Sequence, residues 1–187
     1  MKKRLILGVT GLIGSGKDMF CDYIEKKYGF LHLSTGYLAR EECVKIFKLP
    51  LGRQNEIWVG KKRISEDNAY WPKLLIKRIK EEDTERVVHN GVRQIYDYQV
   101  LKDHFGEDYK LILIDTDTQI RFKRLNSRGR EKDPETFEEF QSQNEKEEEV
   151  FHTKKDVFSK VDYKITNNFN NLEDFHKEID NLMERIK

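Results

Sequence analysis

Eight residues, Gly11-Leu12-Ile13-Gly14-Ser15-Gly16-Lys17-Asp18, set three glycines and a lysine at a spacing suited to gripping phosphate. The glycines open backbone conformations closed to other residues, so successive N–H groups can turn inward toward phosphate oxygens. Lys17 adds a mobile point charge able to reach the outer phosphates of a nucleoside triphosphate. The last position normally carries a Ser or Thr hydroxyl, and here it is Asp18. All eight are candidates for binding ATP. Lys17 is also a candidate catalytic group, and Asp18 a candidate ligand for magnesium, directly or through water.

Such a loop works only between a strand and the start of a helix, whose dipole adds to the attraction for anions. The apolar run Leu5-Ile6-Leu7-Gly8-Val9 reads as a buried strand, and Lys17 to Tyr28 as the helix that follows. Further apolar segments at Phe30 to Leu33, Arg86 to His89, Lys110 to Ile114 and Tyr163 to Thr166 alternate with helical patterns. Those helices are expected at Gly36 to Phe47, Glu66 to Glu82, Ile95 to His104, Asp117 to Arg128, Pro134 to Phe151 and Leu172 to Ile186. This alternation is the signature of an α/β fold with a parallel sheet covered on both faces. Boundaries are weakest between Lys48 and Ser65, where Pro50, Gly52 and Gly60 break the periodicity. Asp133 is the expected cap of the helix at Pro134. That helix is almost wholly polar from Gln141 to Glu149, so the stretch from about 121 to 151 is expected to project from the sheet as a helical hairpin.

A chain of 187 residues suits one domain. A formal net charge of +1 gives no general electrostatic reason to bind nucleic acid or an anionic membrane. The basic run Lys61-Lys62-Arg63 reads as a solvated loop or helix start. Cys21 and Cys43 lack metal-ligand spacing and read as free thiols in a reducing cytoplasm. No apolar stretch approaches the roughly 20 residues needed to span a bilayer, so a cytoplasmic protein, monomeric or homodimeric, is expected.

In an open parallel sheet, ligands lie beyond the carboxyl ends of the strands. Those ends carry Leu33-Ser34-Thr35-Gly36-Tyr37-Leu38-Ala39-Arg40 and Asn90-Gly91-Val92-Arg93, and the helix after the fourth strand carries Arg121, Arg124, Arg128 and Arg130. Each alone has an ordinary reading: a cap, a turn, a solvated arginine. Gathered around a phosphate loop, they are the groups that would stabilise a phosphoryl group in transfer.

The chain resembles the nucleoside monophosphate kinase group of P-loop proteins, which includes adenylate kinase, phage-type deoxynucleoside monophosphate kinases and dephospho-coenzyme A kinase. The likeness is nearest to an archaeal adenylate-kinase-related branch. It rests on the loop, on Ser34 to Arg40 against a Ser-x-Gly-Asp-x-x-Arg acceptor motif, and on Asn90-Gly91-Val92-Arg93 against Asp-Gly-x-x-Arg. It rests also on Arg124 to Arg130 with Asp133-Pro134 against a lid pattern, and on Asp162 to Asn168 against a segment near the nucleotide base. The resemblance implies a three-layer P-loop fold with strand order 2-3-1-4-5, an acceptor-binding insertion at about 34–80 and a lid at about 121–151. By the same resemblance, Thr35, Tyr37, Arg40 and Arg93 would meet the acceptor. Arg124, Arg128 and Arg130 would close over ATP, with Arg93, Arg124 and Arg128 catalytic, and Asn167 would lie at the ATP site.

Three positions depart from the family. Asp18 replaces a hydroxyl, Asn90 replaces a carboxylate, and the two changes together keep the carboxylate count near the metal. Asp also stands at this loop position in phage-type deoxynucleotide kinases and phosphomevalonate kinases. Tyr37 stands where a hydroxyl kinase would place a base, which tilts the reading toward a phosphate acceptor, although Asp97, Glu41 or Glu42 could supply a carboxylate. The expected activity is therefore transfer of the γ-phosphoryl group of ATP, with magnesium, to a nucleoside or deoxynucleoside monophosphate. The alternatives are a hydroxyl acceptor, such as dephospho-coenzyme A or a hydroxymethylated pyrimidine, free or within DNA, and an inactive nucleotide-binding regulatory protein. Trp58, Tyr70 and Trp71 are expected to pack in the cover over the acceptor.

Overall fold

The computed structural model describes residues 4–129 and 133–186. Five strands, β1 (Leu5–Thr10), β2 (Leu31–Ser34), β3 (Arg86–Asn90), β4 (Tyr109–Asp115) and β5 (Tyr163–Thr166), form one parallel sheet in the order β2-β3-β1-β4-β5. Among the described residues the α-helices are α1 (Lys17–Tyr28), α2 (Thr35–Lys45), α3 (Arg53–Glu66), α4 (Tyr70–Glu81), α5 (Ile95–Phe105), α6 (Thr118–Arg128), α7 (Phe137–Phe151) and α8 (Leu172–Ile186). The fold class and strand order are those expected from the sequence.

Alternation along the strands sends successive side chains to opposite faces. Ile6, Val87 and Leu111 face a core completed by Leu38, Val59, Trp71, Leu75 and Leu101 from α2 to α5. Leu7, Val9, Val88, Ile112 and Ile165 face the other core, completed by Phe20 and Ile24 of α1 and by Phe175, Ile179, Leu182 and Met183 of α8. Each such apolar side chain contributes about 1.5–3 kcal/mol on burial. Both faces are covered, so the sheet is rigid and its carboxyl edge is a fixed platform for the loops.

Two helix expectations need correction. The helix expected from Glu66 to Glu82 is α4, which starts only at Tyr70, and a further helix, α3, ends at Glu66 in the stretch where none was expected. Asp67 ends α3 and holds the turn, accepting from Ala69 N–H at 2.9 Å and from Tyr70 N–H through its carbonyl. Pro72 then lies in the first turn of α4, where its missing N–H has no intrahelical partner to lose. α3 itself runs through Gly60, in the stretch where Gly and Pro had masked it. Its partners offset the glycine: Val59 is fully buried and Arg63 pairs with Glu42 at 2.7 Å. Arg63 is thus half-buried helix, while its neighbour Lys62 pairs along the helix with Glu66.

The second correction concerns α7, which begins at Phe137 under a capping box of Thr136 and Glu139 rather than under Asp133. Asp133 instead binds Arg128 with both oxygens, at 2.9 and 2.5 Å. Nor is α7 free of the core: Phe140 is fully buried and packs on Phe122 and Phe137.

Candidate active site

Gly11, Gly14 and Gly16 all adopt positive φ, at 148°, 80° and 100°. All three also sit where a side chain has no room: a Cβ on Gly14 would lie 2.9 Å from the Arg121 carbonyl oxygen, one on Gly11 2.5 Å from that of Ile114, and one on Gly16 closer still to the buried Asn167 amide nitrogen. Ile13 and Gly14 form a turn closed by the Ser15 N–H donating to the Leu12 carbonyl at 3.2 Å. The loop is tied down from behind. Asn167 donates to the Ser15 carbonyl at 2.9 Å, Thr116 donates to the same oxygen at 3.0 Å, and Arg121 donates to the Ile13 carbonyl at 3.1 Å. Gly16 then opens α1, so its dipole points into the loop.

Lys17 folds back over this loop, donating to the Gly11 and Leu12 carbonyls at 2.6 and 3.0 Å. Burial, and then the nearby Arg93, push its amine down from 10.5 to about 8, against the opposing pull of Asp18 and Glu147. The Arg93 charge thus opposes that of Lys17. Asp18 is exposed, and its Oδ1 accepts from Asn90 Nδ2 at 2.5 Å. The two positions that depart from the family pattern are thus in direct contact, joined as carboxylate and amide.

The arginines divide. Arg121 is buried, with its guanidinium 5.0 Å from the Phe140 ring and donating to Asn144 at 2.8 Å. Arg124 donates to the Asn167 side chain and to the Phe169 carbonyl, at 3.2 and 3.0 Å, and burial lowers its pKa. Arg128 is held by Asp133 and lies near enough to Asp18 for that carboxylate to favour its charge. Arg130 lies outside the described residues. Asn167, expected at the ATP site, is buried there behind the loop: its amide nitrogen goes to Ser15 and its oxygen takes Arg124. Arg124 and Asn167 thus brace the loop in this structure.

On the acceptor side, Arg93 has its guanidinium 5.8 Å from the Phe151 ring, with no hydrogen bond to its side chain among the described residues. Its backbone is fixed by Asp97, which accepts from Arg93 and Gln94 N–H at 3.0 Å each, and by Thr153, which donates to its carbonyl at 2.7 Å. Burial raises the Asp97 carboxyl to about 6. Thr35 opens α2 with its hydroxyl 2.9 Å from Nε2 of His89, a fully enclosed imidazole that burial holds neutral, down to about 3. Gly91, at φ 126°, lets β3 pass this hydroxyl, since a Cβ there would lie 3.1 Å from it. Tyr37 is 61% exposed, with no hydrogen bond or ring contact among the described residues. Arg40 is exposed and pairs with Glu56 at 3.1 Å.

The three alternative carboxylates are committed elsewhere. Asp97 caps the turn at Arg93. Glu41 pairs with Arg78 and Lys45, at 2.6 and 2.5 Å. Glu42 is buried and bound by Arg63 and the Tyr70 hydroxyl. Trp71 is buried, and Trp58, 49% exposed, packs edge-on against Phe47.

A family model described as an AAA domain matches residues 10–141, which span the loop, the acceptor side and most of the arginines. A UPF0200 protein of Thermococcus sibiricus is 33% identical over 187 residues, covering 97% of this chain and 95% of its own. This chain belongs to the UPF0200 family and carries an AAA domain. Among solved structures, TT1252 from Thermus thermophilus superposes with a TM-score of 0.62 at 16% identity over the whole of both chains. A shikimate kinase from Bacteroides thetaiotaomicron does so with 0.60 at 15% identity, over 97% of this chain and 98% of that one. At these identities the likeness establishes the fold, which is P-loop kinase-like.

Two residues of the site escaped the sequence reading. His89 was hidden inside an apolar strand pattern. Glu147 was one acid among many in the run Glu145-Lys146-Glu147-Glu148-Glu149, although its spacing from Phe140, Asn144 and Phe151 marks one helical face.

Proposed function

We propose that this protein is an ATP-dependent phosphotransferase that moves the γ-phosphoryl group to a nucleoside or deoxynucleoside monophosphate. The observation that carries the reading is the glycine loop with Lys17 folded over it, next to an Arg93 whose backbone is fixed and whose side chain has no hydrogen bond among the described residues, two cations whose like charges oppose each other. Like charges so placed are unfavourable unless an anion enters between them. A donor phosphate on the loop and an acceptor phosphate on Arg93 would supply it.

In this reading the loop N–H groups and Lys17 hold the β and γ phosphates, and Arg128 adds charge from the side of Asp18. Magnesium fits the exposed Asp18 carboxylate, an oxygen donor of the kind that ion prefers. The ion would neutralise charge developing on the transferred group, while Asn90 orients the carboxylate that holds it. Arg93 and Arg40 grip the acceptor, with Thr35 near its sugar or base, and Arg40 must leave Glu56 to do so. Residues 34–80 cover the acceptor and 121–151 act as the lid that excludes water. A buried loop lysine near pH 8 remains charged at neutral pH and exchanges its carbonyl contacts for phosphate.

A hydroxyl acceptor is the second reading. It is favoured by the shikimate kinase among the structural neighbours, and by Glu147, a carboxylate on the site that none of the bases considered from sequence supplies. The deciding experiment is a coupled ATP-consumption screen with magnesium across nucleoside monophosphates, dephospho-coenzyme A, shikimate and hydroxymethylated DNA. Turnover confined to monophosphates supports the leading reading. Turnover confined to alcohols replaces it with the second. Tight ATP binding with no turnover on any acceptor overturns both in favour of a regulatory nucleotide binder.

A further inference from the structure

One face of α7 belongs to the phosphate site. At about 100° per residue, Phe140, Asn144, Glu147 and Phe151 fall within one narrow stripe of the helix. Three of the four have contacts that fix where the stripe looks. Phe140 lies under the Arg121 guanidinium, and Asn144 accepts from the same Arg121 nitrogen that reaches the Ile13 carbonyl of the phosphate loop. Phe151, at the far end, lies against Arg93, and Thr153 just beyond it donates to the Arg93 carbonyl. Glu147 stands between Asn144 and Phe151, and therefore over the interval between the loop and Arg93. Its charge is felt by both Lys17 and Arg121. The adjacent acids look elsewhere: Glu148 accepts from the backbone N–H groups of Lys154 and Lys155, and Glu145 and Glu149 are exposed.

We propose that Glu147 is a specificity-determining residue of the nucleotide site, which with Asp18 makes the site select a divalent-metal complex of a nucleoside triphosphate over the free nucleotide. The inference rests on the loop being a nucleotide site, as argued above. A carboxylate beside a polyphosphate is repelled unless a cation lies between them, and the repulsion is strong where water is partly excluded. Among the described residues no salt bridge of 4.0 Å or less neutralises either Asp18 or Glu147. Carboxylate and phosphate oxygens are the kind of donor that magnesium takes, often through its retained waters. The pair penalises the bare anion and accommodates its metal complex, so discrimination comes from the protein as well as from the ligand's charge.

The test is calorimetric titration of the full chain with ATP, once with magnesium and once with EDTA, giving the ratio of the two dissociation constants. Glu147→Gln should reduce that ratio roughly tenfold, mainly by tightening metal-free binding. Glu147→Asp should retain most of the ratio, and Glu145→Gln, on the same helix but off the stripe, should leave it unchanged. Glu147→Ala gives the same reading should the glutamine variant fold poorly. An unchanged ratio in Glu147→Gln overturns the inference, as does an equal change in Glu145→Gln or a wild-type protein that binds both forms alike. Wild-type protein that binds ATP under neither condition fails differently, because it removes the nucleotide-site reading itself.

Discussion

The loop lysine sets function against stability, and replacing it with methionine should separate the two. In the free protein the Lys17 amine is enclosed beside Arg93, and its pKa is lowered from 10.5 to about 8. A folded-state value below the unfolded one means that the unfolded chain holds more protons between those pH values, so this group makes stability rise with pH from about 8 to 10.5. Below pH 8 the full cost of enclosing the charge is present. The drop corresponds to about 3 kcal/mol as an upper bound, because the side chain keeps some contact with water. Methionine leaves the Gly11 and Leu12 carbonyls without that donor, which takes back about 2 kcal/mol of it. Lys17→Met should therefore stabilise the free protein by about 1 kcal/mol at pH 7, a rise of about 2–4 °C in Tm for a domain of this size. The same variant should lose the stabilisation that saturating MgATP gives wild type, about 2.7 kcal/mol at a hundredfold excess over Kd. Differential scanning fluorimetry from pH 7 to 10, with and without nucleotide, reads both effects. The advantage of the variant should shrink as the pH passes 8 and the wild-type lysine loses its proton. A variant less stable than wild type at pH 7, or an advantage independent of pH, would refute the reasoning.

Arg93→Met should raise the acceptor KM or lower turnover by about a hundredfold while leaving ATP affinity within a few-fold, measured by steady-state kinetics and calorimetry on the acceptor found by the screen. Asn90→Asp would place a second carboxylate at hydrogen-bond distance from Asp18. It should destabilise the chain by about 1–3 kcal/mol at pH 8, and the deficit should shrink toward pH 5 as the pair takes up a shared proton, seen in urea titrations at both pH values. His89 is neutral in the fold, with a pKa near 3 against 6.5 in the unfolded chain, so the folded state binds fewer protons between those values and stability falls as pH drops below 6.5. His89→Gln should flatten that acid limb, and a variant with the same acid slope would show that the imidazole is not its source.

How legible the protein was depends on how local each signal is. The loop from Gly11 to Asp18 was readable because its backbone chemistry is specified within eight residues, and the apolar strand runs fixed the sheet in the same way. α3 was not readable, because Gly52 and Gly60 signal a break locally while Val59 and the Arg63–Glu42 pair, made with another helix, decide the outcome. Asp133-Pro134 offered a plausible helix start that lost to Thr136 and Glu139 once Arg128 had taken Asp133. For the site, residue types were legible and commitments were not. Glu41, Glu42 and Asp97 looked equally available as bases until their partners were visible, and Arg124 and Asn167, expected to meet nucleotide, are engaged behind the loop. Glu147 emerged only when α7 was seen lying along the site instead of standing away from it.

The bracing of the phosphate loop by Asn167, Thr116 and Arg121 bears on how fast a ligand can be captured. These three residues sit far along the chain from Ser15 and Ile13, so the cradle takes its shape as β5 and α6 assemble, before any nucleotide arrives. The entropy of ordering the loop is then charged to folding rather than to binding. Encounter with nucleotide reduces to exchanging the two carbonyl contacts of Lys17 for phosphate, a side-chain step of nanoseconds. Slow phases in nucleotide binding should accordingly report movement of α7 and its neighbours, with the loop itself already in place.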